Sequence, residues 1–259
     1  MEEEVKKVLQ NIIIKTKQQI DGIRESGKRN IEVLDTVADK IQAGMTTEEV
    51  NQIVYGKTRE LGGMPAPLNF NGFPKSVCTS VNQQVCHGIP SREVVLRNGD
   101  IVNVDVSTIY QGYFSDASRM FCIGKVQPEA EHLVTVTQEC MEAGIKQVFP
   151  GNCFGTMGNA VYRHARKNGY TVVRQIGGHG VGLEFHEDPF VSFVSKAGTG
   201  AVFVPGMVFT IEPMVNQGRN QIYIDGGNHW TVYTLDGKLS AQWEVTVAVT
   251  ETGYEILAY

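Results

Sequence analysis

Four acids stand in runs that otherwise read as apolar strands. Asp105 and Asp116 lie in VNVDVSTIYQGYFSDASRMF (102–121), Glu212 in GMVFTIEPMV and Glu244 in SAQWEVTVAV. In the first run, Val102, Val104 and Val106 alternate with Asn103, Asp105 and Ser107, the period of a strand with one apolar and one polar face. Tyr110-Gln111-Gly112 reads as a turn, and folding back there sets Asp105 and Asp116 opposite each other or nearly so. Facing side chains on paired strands are about 5 Å apart, and like charges there are destabilising. Buried carboxylates are costly unless they are paired or bound to metal. A pair of divalent cations resolves the conflict. Oxygen ligands with one imidazole suit Mn, Fe, Co or Zn, and two ions about 3.5–4 Å apart can clamp a hydroxide and stabilise an oxyanion.

GGHGVGLEFHEDP supplies the imidazole. His179 is flanked by Gly178 and Gly180, which allow close backbone approach, and His186 follows seven residues later. The spacing is wrong for an H-E-x-x-H helix, and Gly180 and Gly182 disfavour one. His87, in VCHGIP, sits just past a strand and before a glycine. His132 and His164 fall in expected helices and read as surface groups, while His229 is ambiguous. There is no G-x-S-x-G elbow for a serine hydrolase, and GGHGVG lacks the P-loop lysine.

Helices and strands must carry these groups to one place. Residues 1 to about 43 read as helix, with one stripe of Val5, Leu9, Ile12 and Ile13 and another of Ile31, Leu34, Val37 and Ile41, broken at Gly27. Thr46-Thr47-Glu48-Glu49 is a capping box for a helix from about Thr47 to Leu61. Strands follow near 77–81, 84–86, 101–107 and 113–121, then helices from Pro128 to about Val148 and on to Asn168. Slid by 107 residues, Gly44, Val54, Tyr55, Arg59 and Gly62 fall on Gly151, Val161, Tyr162, Arg166 and Gly169. The same shift takes Gly99 to Gly206 and Asp105 to Glu212. The chain therefore reads as two copies of one α/β unit, whose equivalent sites would meet at the junction.

The 259 residues are 42% hydrophobic and 20% charged, the balance of a globular protein, and the net charge of −5 argues against nucleic acid as the main partner. The longest apolar runs fall short of a membrane span, and the acidic Met1-Glu2-Glu3-Glu4 start has no apolar region after it, so no signal peptide is expected. Five cysteines without a C-x-x-C pair point away from a disulfide framework or a zinc knot and fit a reducing cytosol.

SVCTSVNQQVCHGIP, NVDVSTIYQGYFSDASR, GGHGVGLEFHEDP, TIEPM and SAQWEVT, in that order, resemble the successive signatures of type I methionine aminopeptidases over the chain from about residue 35. The short interval from His186 to Glu212 is similar to the type I form and leaves no room for the helical insertion of type II. The resemblance implies an α+β fold, the duplicated pseudo-two-fold pita-bread fold with an antiparallel sheet covered by helices. It sets a helical extension over 1–34 and a single catalytic domain over 35–259, in halves of about 35–125 and 126–259. It implies removal of the initiator methionine from nascent polypeptides, with a metal-bridging hydroxide attacking the first peptide bond. Asp105 would bind one metal, Asp116 and Glu244 would bridge both, and His179 and Glu212 would bind the other. Glu212 would shuttle the proton, His87 would lie near the scissile nitrogen, and His186 would donate to the carbonyl oxygen. The methionine pocket would include Pro67, Phe70, Phe73, Cys78, Phe185 and Trp230. Asn82, Gln84 and Ser240 would offer backbone carbonyls to a structural Na or K ion. A cytoplasmic monomer is implied, with nascent chains as partners, a ribosome contact, and neither nucleic-acid substrate nor membrane.

The chain departs from the bacterial pattern in places. Pro67, Phe70 and Phe73 stand where Cys, Tyr and Tyr are common, which dries the pocket rim, and Val245 replaces a usual His. Strand alternation points residue 245 away from the metals. Two rivals remain from the sequence. An X-Pro aminopeptidase or prolidase of the same fold usually carries an extra N-terminal domain, for which about 40 helical residues are too few. A non-catalytic binding module would not need all five ligands.

Overall fold

The computed structural model describes residues 11–259; the expected helix over 1–10, with Val5 and Leu9, lies outside the described residues. Helix α1 (Lys17–Ala38) opens on a capping box, in which Thr16 Oγ1 accepts from the Gln19 N–H and the Gln19 side chain accepts from the Thr16 N–H. It starts later and ends earlier than the sequence suggested, and it runs unbroken through Gly27. Gly27 is there for contact: a Cβ would run into the carbonyl oxygen of Leu257, so the missing side chain lets the helix lie against the C-terminal strand. The helix also crosses residue 34, the expected end of an extension. Ile23, Ser26, Gly27 and Asn30 are buried, and Ser26 and Asn30 donate to the Thr108 and Val106 carbonyls. Residues 17–34 are thus packed into the body of the first half.

Helix α2 (Thr47–Glu60) follows, capped by Thr46 and Glu49 as expected. Then come β1 (Met64–Pro65), β2 (Cys78–Val81), β3 (Gln84–Cys86), β4 (Ile101–Tyr110) and β5 (Tyr113–Cys122). Gln111 and Gly112 both have positive φ, 50° and 82°, which is the tight hairpin turn joining β4 to β5. The second half contains α3 (Pro128–Ile145), α4 (Phe154–Lys167), β6 (Thr171–Val172), β7 (Gly178–Gly180), β8 (Glu187–Val191), β9 (Val208–Ile211) and β10 (Met214–Asn216). It closes with β11 (Ile222–Ile224), β12 (Val232–Thr234), β13 (Ser240–Gln242), β14 (Val245–Val249) and β15 (Tyr254–Ala258).

The sequence repeat is a structural repeat. The same shift carries α2 onto α4 end for end, β1 onto β6, and the Thr46–Val95 bridge onto the Cys153–Val202 bridge. It also pairs left-handed glycines: Gly44 with Gly151 (φ 92° and 89°), Gly62 with Gly169 (76° and 84°) and Gly99 with Gly206 (103° and 94°). Side-chain-bearing residues rarely adopt that conformation, so these identities mark turns held in both copies.

All strand pairings among the described residues are antiparallel. One sheet runs β1-β4-β2 with β5 on β4; another runs β15-β14-β9-β7-β8; two three-stranded sheets, β13-β10-β6 and β11-β12-β3, lie beside them. Val102, Val104 and Val106 of β4 pack under the two helices of the first half, against Val33, Leu34, Val37, Val50 and Val54. In the second half Leu133, Met157 and Val161 pack on Phe209, Ile211, Val245 and Val247. The polar face of β4 therefore looks inward, toward the other half. Ser118 of β5 and Glu244 form an antiparallel bridge that ties the two large sheets together. Among the described residues no helix is long and apolar enough to cross a membrane.

Candidate active site

Two of the acids sit within paired strands and two at breaks between strands. In the β4–β5 register Asp105 faces Ser118, and Asp116 faces Ser107. Asp105 and Asp116 thus share one face as diagonal neighbours, rather than directly opposite. The apolar runs around Glu212 and Glu244 each look like one strand in sequence, yet each is two. β9 ends at Ile211 and β10 starts at Met214, while β13 ends at Gln242 and β14 starts at Val245. At these breaks the chain passes between the five-stranded sheet and a three-stranded one, leaving the larger at Glu212 and returning to it at Glu244, since β9 pairs with β14 and β10 with β13. Glu212 and Glu244 occupy the breaks and aim at the junction. Val245 joins the apolar core, away from the acids.

His179 lies on β7, backed by glycines. A Cβ on Gly178 would meet the Thr210 carbonyl, and one on Gly180 would meet the Asp188 carbonyl. His179 Nδ1 lies 2.9 Å from the Gly180 carbonyl oxygen, which can only accept, so Nδ1 carries the proton. Nε2 keeps its lone pair and faces Glu212 Oε1 at 3.5 Å and Asp116 Oδ2 at 3.8 Å. Ligand atoms of Asp116, His179 and Glu244 all lie within 4.8 Å of one another.

Neighbouring side chains brace these groups. Ser107 Oγ donates to Asp116 Oδ1 at 2.7 Å. Thr210 Oγ1 donates to Glu212 Oε1 at 2.7 Å, and Gln242 Nε2 donates to Glu212 Oε2 at 3.0 Å. Asn103 reaches across to the Gln242 carbonyl. The roles of Ser107, Thr210 and Gln242 were not drawn from the sequence, although each sits two residues, along a strand direction, from a named acid.

Electrostatics make the cluster unstable by itself. Asp116, Glu212 and Glu244 are at most 7% exposed. Burial pushes Asp105 up to about 7 and Glu212 up to about 8, and it drives Asp116 and Glu244 well above the carboxylate range, helped by the neighbouring negative charges. Asp105 Oδ1 is buried with no hydrogen-bond partner among the described residues. Four carboxylates, one of them with an orphaned oxygen, and one imidazole nitrogen are a donor set that fits divalent cations of the borderline kind.

Above the cluster lies a cavity of about 310 Å³. Pro67, Phe70, Phe73, Cys78, Phe185 and Trp230, all named from the sequence, line it, with His87 and His186. Ile176, Gly177 and Phe190 line it too, and they were missed because nothing in their types signals a site. Phe73 meets Trp230 edge-on at 5.2 Å, and Phe70 meets Phe185 at 4.9 Å. Phe185 in turn stacks on Phe114 at 6.1 Å. His186 is exposed at the mouth, 4.3 Å ring to ring from His179. His87 adopts φ 55°, because Gly88 after it is pressed onto β2, where its carbonyl accepts from the Thr79 N–H. Burial pushes His87 down to about 4, with the nearby His186 adding to the shift. Away from the cavity, Asn82 turns between β2 and β3 in the left-handed region, and its carbonyl accepts from the Ser240 N–H at 2.9 Å. Gln84 follows two residues on, its side-chain oxygen accepting from Val81 N–H.

The sequence model of metallopeptidase family M24 matches residues 21–251. Methionine aminopeptidase A of a Synechocystis strain is 48% identical over 247 residues, covering 95% of this chain and 97% of its own. The crystal structure of methionine aminopeptidase from Rickettsia prowazekii superposes with a TM-score of 0.94 at 42% identity, covering 96% of this chain and all of that one. An X-Pro aminopeptidase from Thermotoga maritima superposes with a TM-score of 0.71 at 24% identity, and this chain spans 64% of it; that likeness is one of fold alone.

Proposed function

The chain belongs to metallopeptidase family M24, among its type I methionine aminopeptidases, and from that premise we propose that it removes the initiator methionine from nascent polypeptides. The observation that carries this reading is the convergence of four carboxylates and one imidazole beneath a small aromatic cavity. Asp105, Asp116, His179, Glu212 and Glu244 would hold two divalent cations, Mn, Fe, Co or Zn. Bound there, the pair would polarise the substrate carbonyl and make water a strong nucleophile near neutral pH.

The chain's own residues do the rest. Pro67, Phe70, Phe73, Cys78, Phe185 and Trp230 would enclose the methionine side chain, an apolar slot suiting a polarizable thioether. The free amino group of the substrate would lie at the acidic floor, so a blocked terminus is a poor substrate. His186 would donate to the carbonyl oxygen. His87, held neutral by burial, would donate an N–H near the scissile nitrogen. A donor to the carbonyl oxygen, the place given to His186, is worth about 2.7–4 kcal/mol. Glu212, with its proton affinity raised by burial, is suited to take a proton from the attacking water and pass it to the departing amine. The carbonyls of Asn82, Gln84 and Ser240 would bind a structural Na or K ion. Acting on nascent chains, the protein would work in the cytoplasm and near the ribosome, as a monomer; its five unpaired cysteines suit a reducing compartment.

The test is release of methionine from Met-Ala-Ser and from its N-acetylated form, after chelation and re-addition of Mn, Co or Fe. The free peptide should be cut only with metal, and Asp116→Asn should abolish both metal binding and turnover. Equal cleavage of the acetylated peptide would overturn the reading.

A further inference from the structure

A buried ion pair stands beside the site with no part in the chemistry above. Lys15 is 4% exposed, and its Nζ donates to Glu187 Oε2. The two side chains are 1% and 3% exposed. Lys15 belongs to the short segment before α1, which is strapped to the second half of the molecule. Its N–H donates to the Gly206 carbonyl at 2.8 Å, and Ile12 is buried in the core built mainly by that half. Glu187 directly follows His186. Its other oxygen, Oε1, accepts from the Leu183 N–H at 2.7 Å and the Glu184 N–H at 3.0 Å. Glu187 is thus the clasp of the loop 183–187, which carries both Phe185 of the pocket wall and His186 of the mouth.

The strap also sets where the loop begins. A Cβ on Gly182 would run into Ile23 of α1 and lies 3.6 Å from the Lys15 Cε. Gly182 N–H donates to the Glu184 carbonyl, and the Gly182 carbonyl accepts from the Phe114 N–H. Two of the three polar partners of the clasp are therefore held in turn, Lys15 by the Gly206 carbonyl and Glu184 by the Gly182 N–H. His186 itself has no hydrogen-bond partner among the described residues; its ring is placed by Phe70, His179 and Phe185 and by the backbone that Glu187 closes.

We propose that Lys15 is a positioning residue for His186: from the N-terminal strap it locks Glu187, and through Glu187 it fixes the loop that aims His186 at the substrate carbonyl. This rests on the assignment of His186 as the carbonyl donor. The lock acts on a group used in turnover, while the metal-binding acids are held by other strands and His179 is held by its pairing with Phe190 and by the Thr210 hydroxyl. Loss of Lys15 therefore lowers kcat more than it raises KM and leaves the metal content unchanged.

The experiment is a cycle of Lys15→Met and His186→Ala in the full chain, with amide hydrogen exchange of the loop in parallel. Lys15→Met is expected to cost about tenfold or more in kcat, the scale set by small misplacements of a reacting group. In the His186→Ala background the same change should cost less than about twofold, because a residue acting through another is not additive with it. Exchange at Leu183 and Glu184 should quicken while β7 and β9 stay protected. Lys15→Met/Glu187→Gln leaves no unpaired charge and keeps an acceptor for both amides, so it should fall between wild type and Lys15→Met in both readouts, and it carries the same cycle if the single variant fails to fold. Losses that multiply in the cycle, or unchanged loop exchange, would overturn the proposal. Exchange reads the loop without turnover, so a wild type that released no methionine would sink the functional assignment and leave this test standing.

Discussion

Glu212 accepts two side-chain hydrogen bonds, from Thr210 and Gln242, and both favour its ionised form against burial. Thr210 also accepts from the His179 N–H at 3.0 Å, so one hydroxyl ties a carboxylate to the backbone of the imidazole beside it. Thr210→Val keeps the shape and removes the donor. A hydrogen bond to a charged group is worth about 1.5–3 kcal/mol, so kcat/KM should fall by roughly ten- to a hundredfold. The lost bond lowers the proton affinity of Glu212 in the wild type, so the acid limb of the pH–rate profile should move to higher pH; an unmoved limb would remove Glu212 from the proton transfer. His87 gives a second pH signature. Its folded pKa of about 4 lies below its ordinary 6.5, so it contributes stability that is full above pH 6.5 and lost as the pH falls toward 4. His87→Gln should remove that part of the acid slope in urea melts taken across the same range.

At the scale of the elements, glycine shows how contact overrides propensity. Gly27 and Gly56 both lie inside helices, and the sequence offers no way to tell them apart. Gly56 is exposed with open space around its α-carbon, whereas Gly27 is pressed onto Leu257. Gly56→Ala should stabilise by about 0.5–1 kcal/mol, the usual helix gain. Gly27→Ala should destabilise by about 1–3 kcal/mol, since the backbone carbonyl opposite cannot give way. Equilibrium urea unfolding of the pair checks both signs at once. The same contrast explains what was legible. Helix α2 was readable to within a residue because Thr46 and Glu49 announce its start in local chemistry. Gly27 was misread as a breaker because its partner is 230 residues away in the chain. The four acids and the histidine that converge, and the aromatics that line the cavity, were readable through family likeness and through acids out of place in apolar runs. The breaks at Glu212-Pro213 and Trp243-Glu244 were not, because alternation continues through them while the pairing partner changes. Lys15 and Glu187 carried no signal at all, being two ordinary charges 172 residues apart.

For the molecule as a whole, duplication creates the site and also its instability. Each copy brings acids to the junction, and closing the copies on each other takes those acids out of water. Without cations, Asp105 at about 7 and Glu212 at about 8 lie far above their ordinary 3.8 and 4.5, and Asp116 and Glu244 are shifted the same way. Groups with raised folded pKa values contribute stability that is full below their unfolded values and lost as the pH rises through the folded ones. The buried histidines His87 and His179 act in the opposite direction, mainly below about pH 6.5, where the unfolded chain holds most of their protons. Between pH 6.5 and 8 the four carboxylates outweigh the fading contribution of the two histidines, so the melting temperature of chelated protein should fall as the pH rises through that window. Divalent cations favour the ionised acids, and a ligand that binds only the folded state stabilises in proportion to the logarithm of its concentration over Kd. The increment in Tm on adding Mn or Co should therefore grow from pH 6.5 to 8, and the slope with pH should flatten. Differential scanning calorimetry of chelated and metal-loaded protein across that range measures both. A Tm of the chelated protein that stays level or climbs with pH would mean that the four acids are not buried together, and the junction could not then be the metal site.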